Sequence, residues 1–164
     1  MAVRSIVGFP DPRLRLAAEP VTRFDAELRA LAGDLLDTMR GAPGVGITAP
    51  HVGVPLRLVV LELVPGEVGI YVNPEVIEAS SDTVRHVEGS VSMPGVTDEI
   101  ERPARVTLRY QDLDGVERIE AADGFRAICH QHEIDQLDGI FWIERLSRLK
   151  RDRLIARYNK LRRG

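Results

Sequence analysis

The chain has 164 residues, 44% of them hydrophobic, and a formal net charge of −3 from 22 Lys and Arg against 25 Asp and Glu. This size suits a single domain, residues 1–164, and so small a charge favours neither a nucleic acid nor an acidic membrane as partner. One cysteine, Cys129, excludes an internal disulfide. No apolar run approaches the roughly 18 residues of a membrane span, and the N-terminus lacks the apolar segment of a signal peptide. We therefore expect a soluble cytoplasmic protein.

The first third of the chain predicts one α-helix. The proline-rich segment from Phe9 to Leu14 excludes α-helix and central strand, because proline lacks a backbone donor and restricts its neighbour. A helix is expected from an Asp25 cap to Gly41. Its apolar residues recur every three or four positions: Leu28, Leu31, Leu35, Leu36 and Met39.

The middle of the chain predicts strands and the last third predicts helices. Apolar or alternating patterns indicate strands at 57–63, 69–73 and 105–110, with a hairpin leading to 116–120. A second helix is expected from an Asp123 cap to about Leu137, and a third from about Glu144 to Leu161. Strands that are not interleaved with helices predict an α+β fold.

The second predicted helix has a chemically distinctive face. Its residues at three- and four-residue spacing are Phe125, Ile128, Cys129, His132 and Gln136. A zinc hydrolase helix needs two imidazoles at i and i+4 with a glutamate after the first. Here His132 and Glu133 fit that pattern and Gln136 does not, so this segment alone is more typical of a polar helix end with a satisfied histidine.

Two other segments add to the pattern. Residues 44–51, GVGITAPH, form a glycine-spaced loop whose glycines permit close approach of a ligand. It lacks the Lys-Ser/Thr ending of a phosphate loop. Residues 88–92, EGSVS, predict a short turn between strands. Each segment on its own is also compatible with an ordinary connection.

Taken in order, GVGITAPH, EGSVS and QHEIDQ resemble the peptide deformylase motifs G-φ-G-φ-A-A-x-Q, E-G-C-φ-S and Q-H-E-φ-D-H. The resemblance extends over nearly the whole chain and includes the FPDPRL segment at 9–14. It implies strands, mixed or antiparallel, around a central helix that bears the third motif, followed by a C-terminal helix. It also implies hydrolysis of the formyl group from N-terminal methionine.

The resemblance implies a ferrous or zinc ion at three positions, which here are Ser90, His132 and Gln136. Ser90 replaces the family's cysteine and Gln136 its second histidine. Serine and glutamine are poor substitutes for thiolate and imidazole, so we expect no stably bound cofactor. Glu133 matches the family's general base, and His51 stands at the position of the glutamine that holds the oxyanion.

These departures predict a deformylase-like protein with little or no deformylase activity. The residues that correspond to the family's substrate groove, Val45, Gly46 and Val91, predict that N-terminal formyl-Met peptides of nascent chains can still bind. One alternative is an active amidohydrolase or deformylase with a metal site rebuilt from His51, His132 and Glu133. Another is a nucleophilic Ser90–His132 pair.

Overall fold

The computed structural model describes residues 2–164, which form seven β-strands and three α-helices. In chain order these are α1 (Ala26–Gly41), β1 (Gly46–Thr48), β2 (Leu58–Val64), β3 (Glu67–Ala79), β4 (Thr83–Ser90), β5 (Met93–Pro103), β6 (Arg105–Gln111), β7 (Glu117–Asp123), α2 (Gly124–Leu137) and α3 (Arg148–Arg163). Short 3₁₀ helices lie at Pro12–Arg15, Ala49–Val52 and Trp142–Arg145.

The strands form two separate antiparallel sheets. The larger has five strands in the order β1-β2-β3-β6-β7, and the smaller is the hairpin β4-β5. Strand β1 lies at the edge of the larger sheet, where it pairs with β2 on one side. Helices and antiparallel sheets in this arrangement confirm the predicted α+β class.

Alternation along β2 explains how the larger sheet separates two helices. Leu58 and Val60 belong to the cluster that includes the apolar face of α1, whereas Val59 and Leu61 belong to the cluster that includes α2. Successive side chains of a strand point to opposite faces, so α1 and α2 pack on opposite sides of β2. Helix α3 packs against β5 through Leu154 and Tyr158 in a third cluster.

The structure confirms most of the predicted elements. Asp25 caps α1 by accepting from the Leu28 N–H at 3.1 Å, and the helix ends at Gly41 as expected. The predicted hairpin is β6–β7. Helix α2 has the predicted bounds, but its N-cap residue Asp123 makes no side-chain capping bond.

Three predictions need correction. The last helix begins at Arg148, not near Glu144, because extended backbone at Leu146 separates it from a 3₁₀ turn and Ser147 caps it. The proline-rich segment contains a 3₁₀ helix at Pro12–Arg15, whose first position tolerates proline. The EGSVS segment is partly strand, since β4 extends through Ser90.

Within residues 2–164, no helix is both long and apolar enough to cross a bilayer.

Candidate active site

A cavity of about 380 Å³ lies between the glycine loop, the β4–β5 hairpin and α2. His51, Ser90, His132 and Glu133 all line it, whereas Gln136 does not. Apolar walls come from Val91, Met93, Val96, Ile128 and Cys129, together with Val87 and Phe125. This volume falls within the range typical of small-ligand sites.

Helix α2 places the motif residues along one side of this cavity. Ile128, Cys129 and Gln136 are buried as their spacing predicts, while the Phe125 side chain is 45% exposed at the start of the helix. The apolar-face prediction is therefore wrong at Phe125, which packs against the ring of His86 instead.

His132 is held by a chain of charged groups that runs through the interior. Glu88 accepts from His132 Nδ1 at 2.8 Å and from two nitrogens of Arg102 at 2.6 and 2.9 Å. Arg102 also donates to Asp135 at 2.8 Å, and Asp135 accepts two further bonds from Arg145. Since the Nδ1 hydrogen of His132 is engaged by a carboxylate, its Nε2 is the nitrogen available to the cavity.

The same contacts set the pKa values of this pair. Burial by itself would raise the pKa of Glu88, but hydrogen bonds from His132 and Arg102 lower it to about 2. Burial by itself would lower the pKa of His132, yet the charges of Glu133 and Glu88 keep it above its usual value.

Glu133 is buried with one carboxyl oxygen unpartnered. Its Oε1 has no hydrogen-bond partner among the described residues, and burial raises the pKa of this carboxyl. Its Oε2 lies so close to Gly46 that a Cβ added there would be only 2.7 Å away. A side chain at Gly46 would therefore force the carboxyl group of Glu133 to move, which is an observation that the sequence alone did not provide.

His51 is a neutral, fully buried imidazole. Its Nδ1 accepts from the Thr48 backbone N–H at 3.0 Å and lies 2.9 Å from the Thr48 hydroxyl. Burial, and then the positive charge of His132, lower the pKa of His51 to about 3. Its Nε2 is buried without a partner in the described part of the chain.

Ser90 and Gln136 are both engaged by the backbone. Ser90 Oγ accepts from the Ser92 N–H at 3.1 Å, and no hydrogen bond joins it to His132 within residues 2–164. The Gln136 amide donates to the Leu14 carbonyl at 2.7 Å. The three predicted ligand positions therefore do not all face the same cavity. Ser90 and His132 line it, whereas the side chain of Gln136 is turned towards the N-terminal segment.

The three predicted groove residues, Val45, Gly46 and Val91, all line the cavity. The Val45 carbonyl accepts from the Glu62 N–H at 2.8 Å, so its backbone is tied to β2 on that side. Two residues that position the site were missed by sequence reasoning. Arg102 and Thr48 act through contacts that are seen only in the folded structure. A threonine three residues before His51 is nevertheless a recognisable helix-capping spacing.

Comparison with known proteins places this geometry in a family. Residues 3–152 match the family model described as polypeptide deformylase. The chain belongs to the peptide deformylase family. A protein of Brucella melitensis named peptide deformylase-like is 67% identical over 99% of this chain and all of its own length. A peptide deformylase of Afipia carboxidovorans is 44% identical, covering 98% of this chain and 96% of the relative.

A solved structure of a peptide deformylase is also similar to this fold. The crystal structure of a peptide deformylase from Legionella pneumophila superposes with a TM-score of 0.94 at 39% identity, covering 99% of this chain and 96% of that chain. The α+β architecture around helix α2 is therefore that of a peptide deformylase.

The donor groups of this chain do not fit the iron or zinc ion that the family resemblance implies. His132 offers an imidazole nitrogen, but position 90 offers a neutral hydroxyl and position 136 an amide that is turned to Leu14. Iron and zinc sites in proteins are built from thiolates, imidazoles and carboxylates. Across residues 2–164, no three His, Cys, Asp or Glu side chains are arranged to hold a metal ion, and this includes His51, His132 and Glu133.

Proposed function

We propose that this member of the peptide deformylase family binds N-terminal formyl-Met peptides of nascent chains in the cytoplasm and hydrolyses them little or not at all. One observation carries the proposal: the fold contains a cavity of about 380 Å³, while of the three positions that the family resemblance assigns to metal ligands only His132 has a suitable donor.

The first argument concerns metal affinity. A complete protein zinc site contributes on the order of 10–16 kcal/mol, and that affinity depends on the full set of deprotonated ligands. A serine hydroxyl stays protonated at neutral pH and carries no charge, whereas a thiolate carries a full one. Ser90 is in addition already an acceptor for Ser92. One imidazole with these neighbours is not expected to hold iron or zinc.

The second argument concerns hydrolysis. A bound metal lowers the pKa of its water to about 7, which supplies hydroxide at neutral pH. Without it, Glu133 has no acidified water to deprotonate. Ser90, which stands at the position of the family's thiolate, also supplies no negative charge. We expect hydrolysis of the formyl group to be slower than in active enzymes by many orders of magnitude.

The third argument concerns binding. Ile128, Cys129 and Met93 give the cavity apolar walls that suit a methionine side chain. Strand β1 ends its sheet, so it offers an unpaired edge beside the cavity. An extended peptide gains main-chain hydrogen bonds when it adds to such an edge.

Two measurements on the purified protein test the proposal. Elemental analysis after anaerobic purification and dialysis should find well below one equivalent of iron, zinc or nickel. Titration calorimetry with an N-formyl-Met tripeptide should show binding, while an assay of the same peptide shows turnover far below the usual enzyme range of about 1–1000 per second. Stoichiometric metal with turnover in that range would instead support an active, reorganised amidohydrolase.

A matched pair of surface variants locates the binding. Val84 and Val87 are both exposed on β4, and only Val87 lines the cavity. Val87→Asp should weaken peptide binding, because it places a charge at the cavity wall, whereas Val84→Asp should leave binding unchanged. Equal effects of the two changes would place the peptide elsewhere.

A further inference from the structure

The nitrogen atoms of His51 have opposite surroundings. Its Nδ1 faces two groups of Thr48, the backbone N–H at 3.0 Å and the hydroxyl at 2.9 Å. The Thr48 hydroxyl oxygen also accepts from the His51 backbone N–H at 3.4 Å, which leaves the hydroxyl hydrogen to donate. A ring nitrogen that receives a backbone N–H cannot itself carry hydrogen. The ring hydrogen therefore lies on Nε2.

That Nε2–H is a hydrogen-bond donor without an acceptor. It is buried, it has no partner in residues 2–164, and its residue lines the cavity. Buried polar groups are nearly always paired, and an unpaired donor is costly. The residue itself is only 1% exposed, and the cavity that it lines is open space next to it.

We propose that Thr48 is a positioning residue: it fixes the His51 ring so that Nε2–H points into the cavity and donates to a carbonyl or carboxylate oxygen of the bound ligand. The identity of that ligand as a formyl-Met peptide rests on the function proposed above. The state of the ring does not, because it can be measured in the ligand-free protein.

The contact between Thr48 and His51 Nδ1 distinguishes the positioning role of Thr48 from the role of a helix cap alone. Thr48 begins a 3₁₀ helix of four residues and caps it, so any change at this position affects local stability. Only a positioning role predicts that the change acts on ligand binding through His51.

Four variants separate the two roles: Thr48→Val, Thr48→Ser, His51→Gln and the double change Thr48→Val with His51→Gln. Valine keeps the shape and the backbone N–H but removes the hydroxyl that contacts Nδ1. Serine keeps the hydroxyl and serves as the conservative control. Circular dichroism and thermal unfolding check that each variant is folded.

The first readout is the tautomer of His51, measured by long-range ¹H–¹⁵N NMR on the free protein. The wild type and Thr48→Ser should show one species with hydrogen on Nε2. Thr48→Val should keep the hydrogen on Nε2, because the backbone N–H still donates to Nδ1, but its ring signals should be exchange-broadened, because the hydroxyl that also holds Nδ1 is gone. Ring signals in Thr48→Val as sharp as those of the wild type, or hydrogen on Nδ1 in the wild type, would overturn the proposal whether or not the protein binds peptide.

The second readout is binding of an N-formyl-Met tripeptide by calorimetry. Thr48→Val should weaken binding by about fivefold, in keeping with one lost hydrogen bond, and Thr48→Ser should bind almost as well as the wild type. In the His51→Gln background the same valine change should have no further effect, since residues that act through one another are non-additive. An equal loss in both backgrounds would mean that Thr48 acts as a cap and would refute the positioning role. Absence of binding by the wild type would count against the proposed function, and the NMR result would still decide the role of Thr48.

Discussion

Restoring the two missing ligand types tests whether the fold still holds a metal-site geometry. The change is Ser90→Cys together with Gln136→His. Ser90 and His132 already face one cavity, and the bond from His132 Nδ1 to Glu88 leaves Nε2 available. A histidine at 136 lies four residues after His132 on α2, where the two imidazoles project side by side.

The magnitude follows from the contact that is lost. Gln136 donates to the Leu14 carbonyl in the interior, and leaving a buried carbonyl unpaired costs about 1–3 kcal/mol. For a chain of this size each kcal/mol shifts Tm by roughly 2–4 °C, so the metal-free double variant should melt about 2–12 °C below the wild type. A metal present at about 1000 times its Kd adds about 4 kcal/mol, which reverses the loss.

The assay is thermal unfolding and calorimetric titration with Zn²⁺ under reducing conditions. The double variant should bind one ion, and each single change should bind poorly because ligands that share one ion act together. Formyl-peptide hydrolysis should appear only in the double variant with metal, and adding His51→Gln should raise it further. The matched control is Ser90→Cys with Gln131→His, since Gln131 on the same helix donates to Pro103 and Ala127 instead. A double variant that folds normally yet binds no metal would refute the reasoning.

Two further predictions concern the charged groups of the interior. Arg102→Met should destabilise the fold by about 3–5 kcal/mol in urea unfolding, because it removes the buried cation between Glu88 and Asp135 and leaves them only His132 and Arg145 as partners. Arg105→Met, which breaks an exposed pair with Asp82, should cost at most about 1 kcal/mol, and equal losses would contradict this account. Burial by itself would raise the pKa of Glu120, but hydrogen bonds from Arg126 and His130 lower it from 4.5 to about 2. Its stabilisation is therefore complete above about pH 4.5 and is lost as the pH falls towards 2. Glu120→Gln should reduce the free energy of unfolding at pH 7 by up to about 3 kcal/mol. The difference in this free energy between the variant and the wild type should narrow as the pH falls from about 4.5 towards 2. A difference that stays constant over this range would contradict the lowered pKa of Glu120.

The sequence predicted the parts of the site that depend on local spacing. Residue types typical of helix ends gave the bounds of α2. Three- and four-residue periodicity gave the shared face of Ile128, Cys129 and His132, because helical geometry alone fixes which residues lie together. The capping residue Asp25 was predictable for the same reason. Phe125 was the exception, since it lies in the first turn, where the helix emerges from the core.

Contacts between segments that are distant in the sequence could not be predicted from residue spacing. The bond from Gln136 to Leu14 joins residues 122 positions apart, and nothing in the QHEIDQ motif indicates that this side chain turns away from the cavity. A turn between strands was predicted at residues 88–92, but the bounds of β4 and β5 were not, because the small hairpin has exposed charges on one face. The chain from His132 to Arg145 likewise exists only once α2 is packed against that hairpin.

Two of the motif residues on α2 that match the family, His132 and Glu133, invite different explanations. His132 belongs to the buried network with Glu88 and Arg102, and removing one member of such a network is strongly destabilising. Stability alone therefore accounts for His132. Glu133 has no such support, because its Oε1 lies buried without a partner in the described chain and a neutral apolar side chain would avoid that cost. Glu133 lines the same cavity as His51, so the peptide binding proposed above supplies a reason for a carboxyl group that stability does not explain.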